Sequence, residues 1–321
     1  MNVIKKKSTV VYLFLSAVII LTPLWLKSNY LLGIINTSFS FAICVIGLWV
    51  ILGLAGQLSL AQAGFFAVGA YTSAICSTKL GWPWYLSILA AMVLSAVAGF
   101  CIGAPTLKLS GRYLTITTMG FSIIIELVMR NWITVTNGPD GIGGIPVPSF
   151  FGFALNTNRS IFYFALAMLF LVTLFGRQLQ KSEFGLALKM VRDDDIAAQA
   201  SGVNITIYKV IAFVISGMLG GFGGAVYAHV MKYISPGEFS YNQSLIFLVM
   251  LVVGGYRSLG GAVVGALLIT ILPELLRGVK NWQMVIFGLA VVLVIRFLPS
   301  GIAGLFMRIK ERLAAKTALV K

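Results

Sequence analysis

The stretch that decides the fold is residues 30–52, YLLGIINTSFSFAICVIGLWVIL, which contains no charged side chain. A helix that crosses a bilayer needs about 20 consecutive, mainly apolar residues, so this run predicts a membrane span. Because 57–77 is interrupted by glycine and 243–256 is short, eight to ten spans are expected in all. The further apolar runs that predict spans lie at 10–26, 57–77, 83–104, 113–132, 160–177, 209–231, 243–256, 260–278 and 282–298.

The composition excludes most soluble classes of protein. Of 321 residues, 59% are hydrophobic and only 10% are charged, whereas soluble domains carry about 25% charged residues. A soluble enzyme, a disordered chain and a secreted disulfide scaffold are therefore excluded. The three cysteines fall inside predicted spans without a Cys-x-x-Cys spacing, so neither a disulfide framework nor a metal site is expected. We expect an all-α polytopic membrane protein.

The basic residues predict the orientation. The chain holds 24 Lys and Arg against 9 Asp and Glu, a net charge of +15. In a soluble protein this excess would suggest nucleic acid, but here the basic residues lie between apolar runs, so no nucleic-acid partner is expected. Most of them flank the N-terminus, the connectors 105–112, 178–208 and 257–259, and the tail 299–321. Since cytoplasmic connectors carry excess Lys and Arg, both termini and this tail are predicted to be cytoplasmic.

Two connectors are long. The outer loop, 133–159, contains NGPDGIGGIPVP at 137–148, whose glycines and prolines exclude a regular helix. The inner loop, 178–208, is charged but has a helical pattern. Its aspartates at 193–195 suit an N-cap and first turn, and Gly202 suits the left-handed position after a helix. The pattern predicts a short cytoplasmic helix between spans six and seven.

The segment 56–71, GQLSLAQAGFFAVGAY, carries polar side chains into a predicted span. Gln57, Ser59 and Gln62 are too polar to face lipid, where each unsatisfied polar group costs several kcal/mol. Ser59 and Gln62 are three residues apart and would share one helix face. These side chains either line a translocation path or hydrogen-bond between closely packed helices. The other candidates for the path are Thr117 and Glu126.

Small residues predict where helices approach closely. In 217–225, GMLGGFGGA, Gly217 pairs with Gly221 and Gly220 with Gly224 in two overlapping GxxxG patterns. This spacing favours helix packing. A nucleotide-binding loop is disfavoured, because no strand precedes these glycines.

Charged residues inside the spans form two sequence pairs, Glu126 with Arg130 and Glu274 with Arg277. Charges at membrane depth are functional candidates, but both pairs lie toward outer span ends, where an ion pair can be purely structural. Both interpretations stay open. His229 is the only histidine and is expected to be an interfacial packing residue.

Absent motifs narrow the source of energy. The chain has no Gly-Lys dipeptide, which excludes a Walker A phosphate loop. It also has no paired carboxylates, histidine cluster or nucleophile elbow, so no catalytic residue is assigned. Gradient-coupled carriers usually place ionisable residues near the membrane midplane. The outward bias of the acidic residues therefore favours a partner subunit as energy source, with an ion-coupled secondary transporter as the alternative.

Several stretches form a specific combination: 56–71, LKLSGRYLTI at 107–116, TMGF at 118–121, GLALKMVRDDDIAAQASG at 185–202, the glycines at 254–255, 260–261 and 265, and PSGIAG at 299–304. Together they resemble the LivM-type permease of branched-chain amino-acid ABC importers. The resemblance is collinear from about residue 30 to 305. The chain departs from the family pattern at Asn137 and Arg257, where glycine is usual, and at Ala262, where proline is common.

The resemblance implies an ABC importer permease fold, with residues 1–321 as a single transmembrane permease domain in the bacterial plasma (inner) membrane. It also implies assembly with a second homologous permease, two cytoplasmic ATP-binding subunits and an extracytoplasmic substrate-binding protein. No cofactor is expected in this chain, since ATP and Mg²⁺ would be bound by the partner subunits. Family members are similar in carrying leucine, isoleucine and valine, but relatives carry urea, amides or other amino acids.

The resemblance further assigns the loop 178–208 as the element that couples the permease to an ATPase. Closure of the ATPase dimer would shift spans six and seven through this loop. An inert solvated loop is the alternative. The residues assigned to the coupling contact are Gly185, Arg192, Asp193, Asp194, Ala197, Ala198 and Gly202.

Overall fold

The computed structural model describes residues 23, 28–105, 111–150, 153–276, 285, 288, 289, 292, 296 and 301–304. The described chain is mostly helical. The α-helices of more than four residues are α1 (Asn29–Trp49), α2 (Gln62–Thr78), α3 (Trp84–Gly103), α4 (Arg112–Asn131), α5 (Asn158–Lys181), α6 (Glu183–Asp193), α7 (Asp195–Ala200), α8 (Ile205–Met231), α9 (Tyr241–Gly254) and α10 (Leu259–Leu275). A single π-helical turn, Val50–Leu54, continues α1, and a four-residue helix, Ile133–Thr136, begins the outer loop. The short strands are β1 (Ile142–Gly143), β2 (Ser149–Phe150), β3 (Phe153–Ala154) and β4 (Tyr233–Ile234).

Each of the eight predicted spans between residues 30 and 278 contains a helix. Within the described chain, five helices are long and apolar enough to cross a membrane: α1 with its π-turn, α3, α4, α5 and α8. The helices α2, α9 and α10 are shorter, at 17, 14 and 17 residues. The chain is thus a polytopic helical membrane protein. The predicted spans 10–26 and 282–298, most of the tail 299–321, and Arg277 lie outside the described residues.

Three helices, α1, α2 and α8, form the centre of the bundle, and α2 is buried over most of its length. In the most apolar windows of α1 with its π-turn and of α8, 83% and 72% of the residues are buried. Helix α8 packs against α1, α2 and α3, whereas α5 and α10 pack on α1. Helix α4 lies at the periphery, where it contacts α2 and α9, and only 22% of its window is buried.

The two GxxxG pairs of α8 lie at two different helix contacts. A Cβ atom on Gly217 or Gly221 would collide with Ser95 of α3. A Cβ atom on Gly220 or Gly224 would instead press into α2. The overlapping spacing therefore lets one helix approach two neighbours at backbone distance.

Connectors that the charge pattern assigned to one side of the membrane meet at one end of the bundle. At one end, Arg192 of the loop 178–208 donates to the carbonyl oxygen of Gly53 at 2.7 Å. At the other, the ammonium group of Lys79 donates to the carbonyl oxygen of Val135, in the loop 133–159, at 2.8 Å. We call these the inner end and the outer end.

The outer loop is irregular, as predicted, but it is fastened to the bundle. Strand β1 pairs antiparallel with β4, with Ile142 opposite Ile234. His229 is fully buried, with its Nδ1 2.8 Å from the carbonyl oxygen of Pro146 and its Nε2 3.0 Å from the hydroxyl of Ser73. Because a carbonyl oxygen only accepts, Nδ1 carries the proton. His229 thus joins α8, α2 and the outer loop, beyond the packing role expected for it.

Candidate functional site

The inner end brings three segments together around one cavity. The cavity has a volume of about 600 Å³ and is lined by residues from 55–58, 111–115 and 191–195, together with Lys209. These segments follow α1, begin α4 and end α6. Gln57, a predicted path residue, lines this cavity, and its side-chain oxygen has no hydrogen-bond partner among the described residues.

The inner loop contains two helices, α6 and α7, where the sequence analysis expected one short helix; α7 matches the expected aspartate N-cap and the end at Gly202, and α6 was not expected. Ser182 caps α6 by accepting from the amide of Gly185 at 3.2 Å. Asp194 has an extended backbone, with φ −158° and ψ 112°, and its carboxylate accepts from the amides of Ile196 and Ala197 at 2.8 and 3.1 Å. The carboxylate satisfies the first amides of α7, which ends one helix and begins the next.

After α7 the chain turns as the sequence indicated. Gly202 has φ +83°, a left-handed conformation that glycine adopts without steric cost. We define residues 182–204, which comprise both helices and their caps, as the coupling segment.

The coupling segment is fixed to the bundle by charged and aromatic contacts. The carboxylate of Asp195 lies 2.9 Å from the ammonium of Lys209, at the start of α8. The rings of Phe184 and Tyr208 stack with centroids 5.2 Å apart. With the Arg192 bond to Gly53, these contacts attach the segment to α8 and to the π-turn.

The predicted coupling residues divide into buried and exposed groups. Ala198 is fully buried, and a Cβ atom on Gly185 would collide with the carbonyl oxygen of Leu179, so both shape the segment from within. Asp193, Asp194 and Ala197 are exposed. The sequence analysis missed the large apolar side chains beside them, of which Ile196 is 80% exposed. The exposed apolar surface of the segment consists of Leu186, Met190 and Ile196.

The predicted span 57–77 begins late. Helix α2 starts at Gln62, and residues 55–61 are not helical, so Ser59 and Gln62 do not share a helix face. Gly56 has φ +70°, which turns the chain out of the π-turn. The prediction from spacing was wrong because side-chain hydroxyl groups, not a helical ladder, satisfy this backbone.

Those hydroxyl groups come from two neighbouring helices. Thr118 of α4 accepts from the amide of Leu60 at 3.0 Å, and Ser122 donates to the carbonyl oxygen of Leu60 at 2.7 Å. Ser244 of α9 accepts from the amide of Ala63 at 2.9 Å, which caps α2. Sequence analysis missed these three residues, because a hydroxyl in a membrane helix usually bonds within its own helix. These bonds attach the segment 55–61 to α4 and the first turn of α2 to α9.

Gln62 and Ser59 are buried within the bundle. Gln62 is 1% exposed; its Nε2 donates to the carbonyl oxygen of Cys44 at 2.8 Å, and its Oε1 accepts from the hydroxyl of Ser216 at 3.0 Å. The hydroxyl of Ser59 accepts from the amide of Ala61. In this structure Gln62 joins α2 to α1 and α8, as the helix-bonding interpretation expects.

The two path candidates on α4 are nine residues apart, about two and a half helical turns, and so lie on opposite faces of the helix. Thr117 is exposed, with its hydroxyl bonded to the carbonyl oxygen of Tyr113. Glu126 forms an ion pair with Arg130 at 3.0 Å. Polar and charged side chains on a peripheral membrane helix do not face lipid when a protein partner or water-filled path is present. Thr117 and Glu126 therefore do not form a single polar surface on α4.

At the outer end, Tyr30 donates to Glu274 at 2.7 Å, which links α1 to α10. Glu238, in the turn between α8 and α9, accepts from the amide of Ser235. Burial raises the pKa of the Glu238 carboxyl, while hydrogen bonds from Ser235 and from the hydroxyl of Tyr227 oppose that shift. Among the described residues, no group of three or more His, Cys, Asp and Glu side chains is placed to hold a metal ion.

Comparison with known proteins finds a matching family and several relatives. Residues 30–295 match the family described as branched-chain amino acid transport system / permease component. The chain is 32% identical over 315 residues to the high-affinity branched-chain amino acid transport system permease protein LivM of Salmonella typhimurium, covering 90% of this chain and 74% of that protein.

More distant relatives have other names. The guanosine ABC transporter permease protein NupQ of Bacillus subtilis is 28% identical, over 64% of this chain and 69% of its own. The fructose import permease protein FrcC of Rhizobium meliloti is 22% identical, over 84% of this chain and 75% of its own. No solved structure matches the chain. The extent of the family match shows that this chain belongs to the family of branched-chain amino acid transport system permease components, a family of ABC transporter permeases.

Proposed function

We propose that this chain is a permease subunit of an ATP-driven importer for leucine, isoleucine and valine in the bacterial inner membrane. Two relatives named for branched-chain amino acids match 90% of the chain at 31–32% identity. The relatives named for guanosine and fructose are less similar. Urea, amides, nucleosides and sugars are therefore the alternative cargoes.

The observation that carries the proposal is the coupling segment. It is held at the inner end by the Asp195–Lys209 ion pair and the Arg192–Gly53 bond, and it leaves Ile196 and its apolar neighbours exposed. A segment fixed on one side and apolar on the other is suited to transmit force from a partner that binds the apolar side. That partner is the cytoplasmic ATP-binding subunit, of which two would serve a pair of permeases.

The remaining subunits follow from the same scheme. A second homologous permease would pack beside the peripheral α4, which carries Thr117 and Glu126, and the translocation path would lie between the two permeases. A substrate-binding protein would deliver the amino acid at the outer end. ATP and Mg²⁺ would be held by the ATP-binding subunits, so this chain itself hydrolyses nothing.

Ile196→Asp tests the coupling surface. Desolvating a carboxylate against an apolar partner surface is strongly unfavourable, so we expect the ATP-binding subunit to be lost on purification and ATP-driven uptake to fall at least tenfold. Ile133→Asp is the matched control, because Ile133 is also exposed but lies at the outer end. The control should retain the ATP-binding subunit. Retention by Ile196→Asp as well would contradict the assignment.

Reconstitution tests the energy source and the cargo. The complete complex in proteoliposomes should take up leucine, isoleucine and valine only when ATP is present on the side of the membrane that carries the ATP-binding subunits. Guanosine, fructose and urea should compete poorly with these amino acids for uptake. Uptake by this chain alone, insensitive to ATP and abolished by a protonophore, would establish a secondary transporter. Preferential uptake of one of the other cargoes would refute the substrate assignment and leave the importer class intact.

A further inference from the structure

We propose that Arg192 is a positioning residue that transmits movement of the coupling segment into the membrane bundle, by capping the π-turn at the end of α1. This inference rests on the proposed function, because it concerns how the coupling segment acts once an ATP-binding subunit moves it. It gives Arg192 a task directed into the bundle, toward Gly53, and not toward the ATP-binding subunit.

The geometry of Arg192 is that of a guanidinium shared between two segments. Its Nη1 donates to the carbonyl oxygen of Gly53 at 2.7 Å. Its Nε and Nη2 both donate to one carboxylate oxygen of the adjacent Asp193, at 2.9 and 2.8 Å. The arginine side chain is only 17% exposed, against 64% for that of Asp193. The carboxylate therefore holds the fork in place while the third donor reaches 139 residues back along the chain.

The acceptor, the carbonyl oxygen of Gly53, lies at a helix end and needs a hydrogen-bond donor. The π-turn ends at Leu54, so the carbonyl group of Gly53 lies beyond the amides that a regular helix would offer it. The negative end of the helix dipole lies at the same place and favours a cation. Because a guanidinium is planar and carries five donors, it can satisfy this carbonyl and a carboxylate together, which a lysine ammonium cannot do in the same geometry.

Two glycines leave the space for this contact. A Cβ atom on Gly56 would lie 2.5 Å from Cγ of Arg192, so any larger residue would displace the arginine side chain. A Cβ atom on Gly53 would collide with the carbonyl oxygen of Tyr256, in the turn between α9 and α10. The π-turn is thus enclosed by the coupling segment on one side and by that turn on the other.

The Arg192–Gly53 contact is connected through the segment 55–61 to α4. The segment 55–61 follows the π-turn directly and is hydrogen-bonded to α4 through Thr118 and Ser122. A displacement of Arg192 would therefore move the π-turn, then 55–61, and then α4, which carries the path candidates Thr117 and Glu126. Transmission along this route and a purely structural role of Arg192 predict different ratios of substrate uptake to ATP hydrolysis.

The test uses Arg192→Gln in the complete importer, with ATP hydrolysis and uptake measured on the same proteoliposomes. Glutamine keeps a donor but loses the charge and the fork. We expect the ATP-binding subunits to remain bound, ATP hydrolysis to stay within about twofold of wild type, and the number of substrate molecules taken up per ATP to fall at least tenfold. A merely structural arginine would lower assembly, hydrolysis and uptake together.

Arg192→Lys is the second variant. It keeps the positive charge near Gly53, so its complex should assemble more readily than that of Arg192→Gln. The number of substrate molecules taken up per ATP should lie between the values for wild type and for Arg192→Gln. A wild-type ratio in Arg192→Gln would overturn the proposal. So would loss of assembly in both variants, since the residue would then serve folding alone. Failure of the proposed function would appear differently, as wild-type complex that hydrolyses ATP without importing any amino acid tested.

Discussion

Replacing Gln62 with methionine distinguishes the two interpretations of the polar residues after α1. Methionine is unbranched and close to glutamine in length, so it fills the same space between α1, α2 and α8. The substitution removes the bonds to the carbonyl oxygen of Cys44 and from the hydroxyl of Ser216. It also leaves that hydroxyl without its partner in a site where Gln62 is 1% exposed.

The expected magnitude follows from the two bonds. Hydrogen bonds between membrane helices contribute about 0.6 kcal/mol on average and up to about 1.7 kcal/mol each. Losing both predicts a decrease of about 1–3 kcal/mol in the free energy of unfolding. The assay is SDS titration of the purified chain in mixed micelles, followed by circular dichroism, together with uptake by the reconstituted complex.

A double-mutant cycle gives the control. Ser216→Ala removes the hydroxyl that Gln62→Met orphans, so the double variant should lose less stability than the sum of the two single variants. Uptake selectivity among amino acids should stay unchanged in all three. Unaltered stability with altered selectivity in Gln62→Met would refute the reasoning and place Gln62 in the path.

Three further predictions concern the helix contacts and the outer turn. Gly224→Val should destabilise the chain by about 1–3 kcal/mol, because the valine side chain would press into the backbone of α2 at Phe66. Gly33→Ala is the control, since Gly33 lies in a membrane helix with open space around it. Its stability should stay within about 0.5 kcal/mol of wild type in the same titration. Ser244→Ala should cost about 1 kcal/mol and speed hydrogen exchange in the first turn of α2, whose Ala63 amide it caps. Since burial raises the pKa of Glu238, the stability of the wild-type chain should fall as pH rises from the ordinary glutamate range through that raised pKa. Thermal melting of Glu238→Gln should not show this fall. An equal fall in the variant would assign the effect to another group.

The helical architecture was predictable because bilayer thickness imposes a length on apolar runs. Residues 30–52 and 209–231 are uncharged, or nearly so, over more than the required length, and both correspond to central helices. Packing at Gly217 and Gly221 was predictable from spacing for the same kind of reason, since only small residues allow backbones to approach.

Local detail at the inner end was not predictable, because it depends on contacts between distant segments. Nothing near Leu60 indicates that hydroxyls of Thr118 and Ser122 will replace its helical partners. The break between α6 and α7 at Asp194 was predictable only in part. An aspartate N-cap was expected, but three consecutive aspartates left its position open. Ile196 could have been found, since a large apolar residue following three charges in a connector is unusual on a solvated surface.

The glycine contacts of α8 have a consequence for engineering. Side chains between helices act as a compliant layer that can re-pack, but backbone against backbone offers no such layer. Helices α2, α3, α8 and the body of α1 should therefore move together as one rigid frame, and relative movement should occur between this frame and the peripheral α4. Cross-links meant to trap the transporter in one state belong between α4 and this frame, because links within the frame would join parts that never separate.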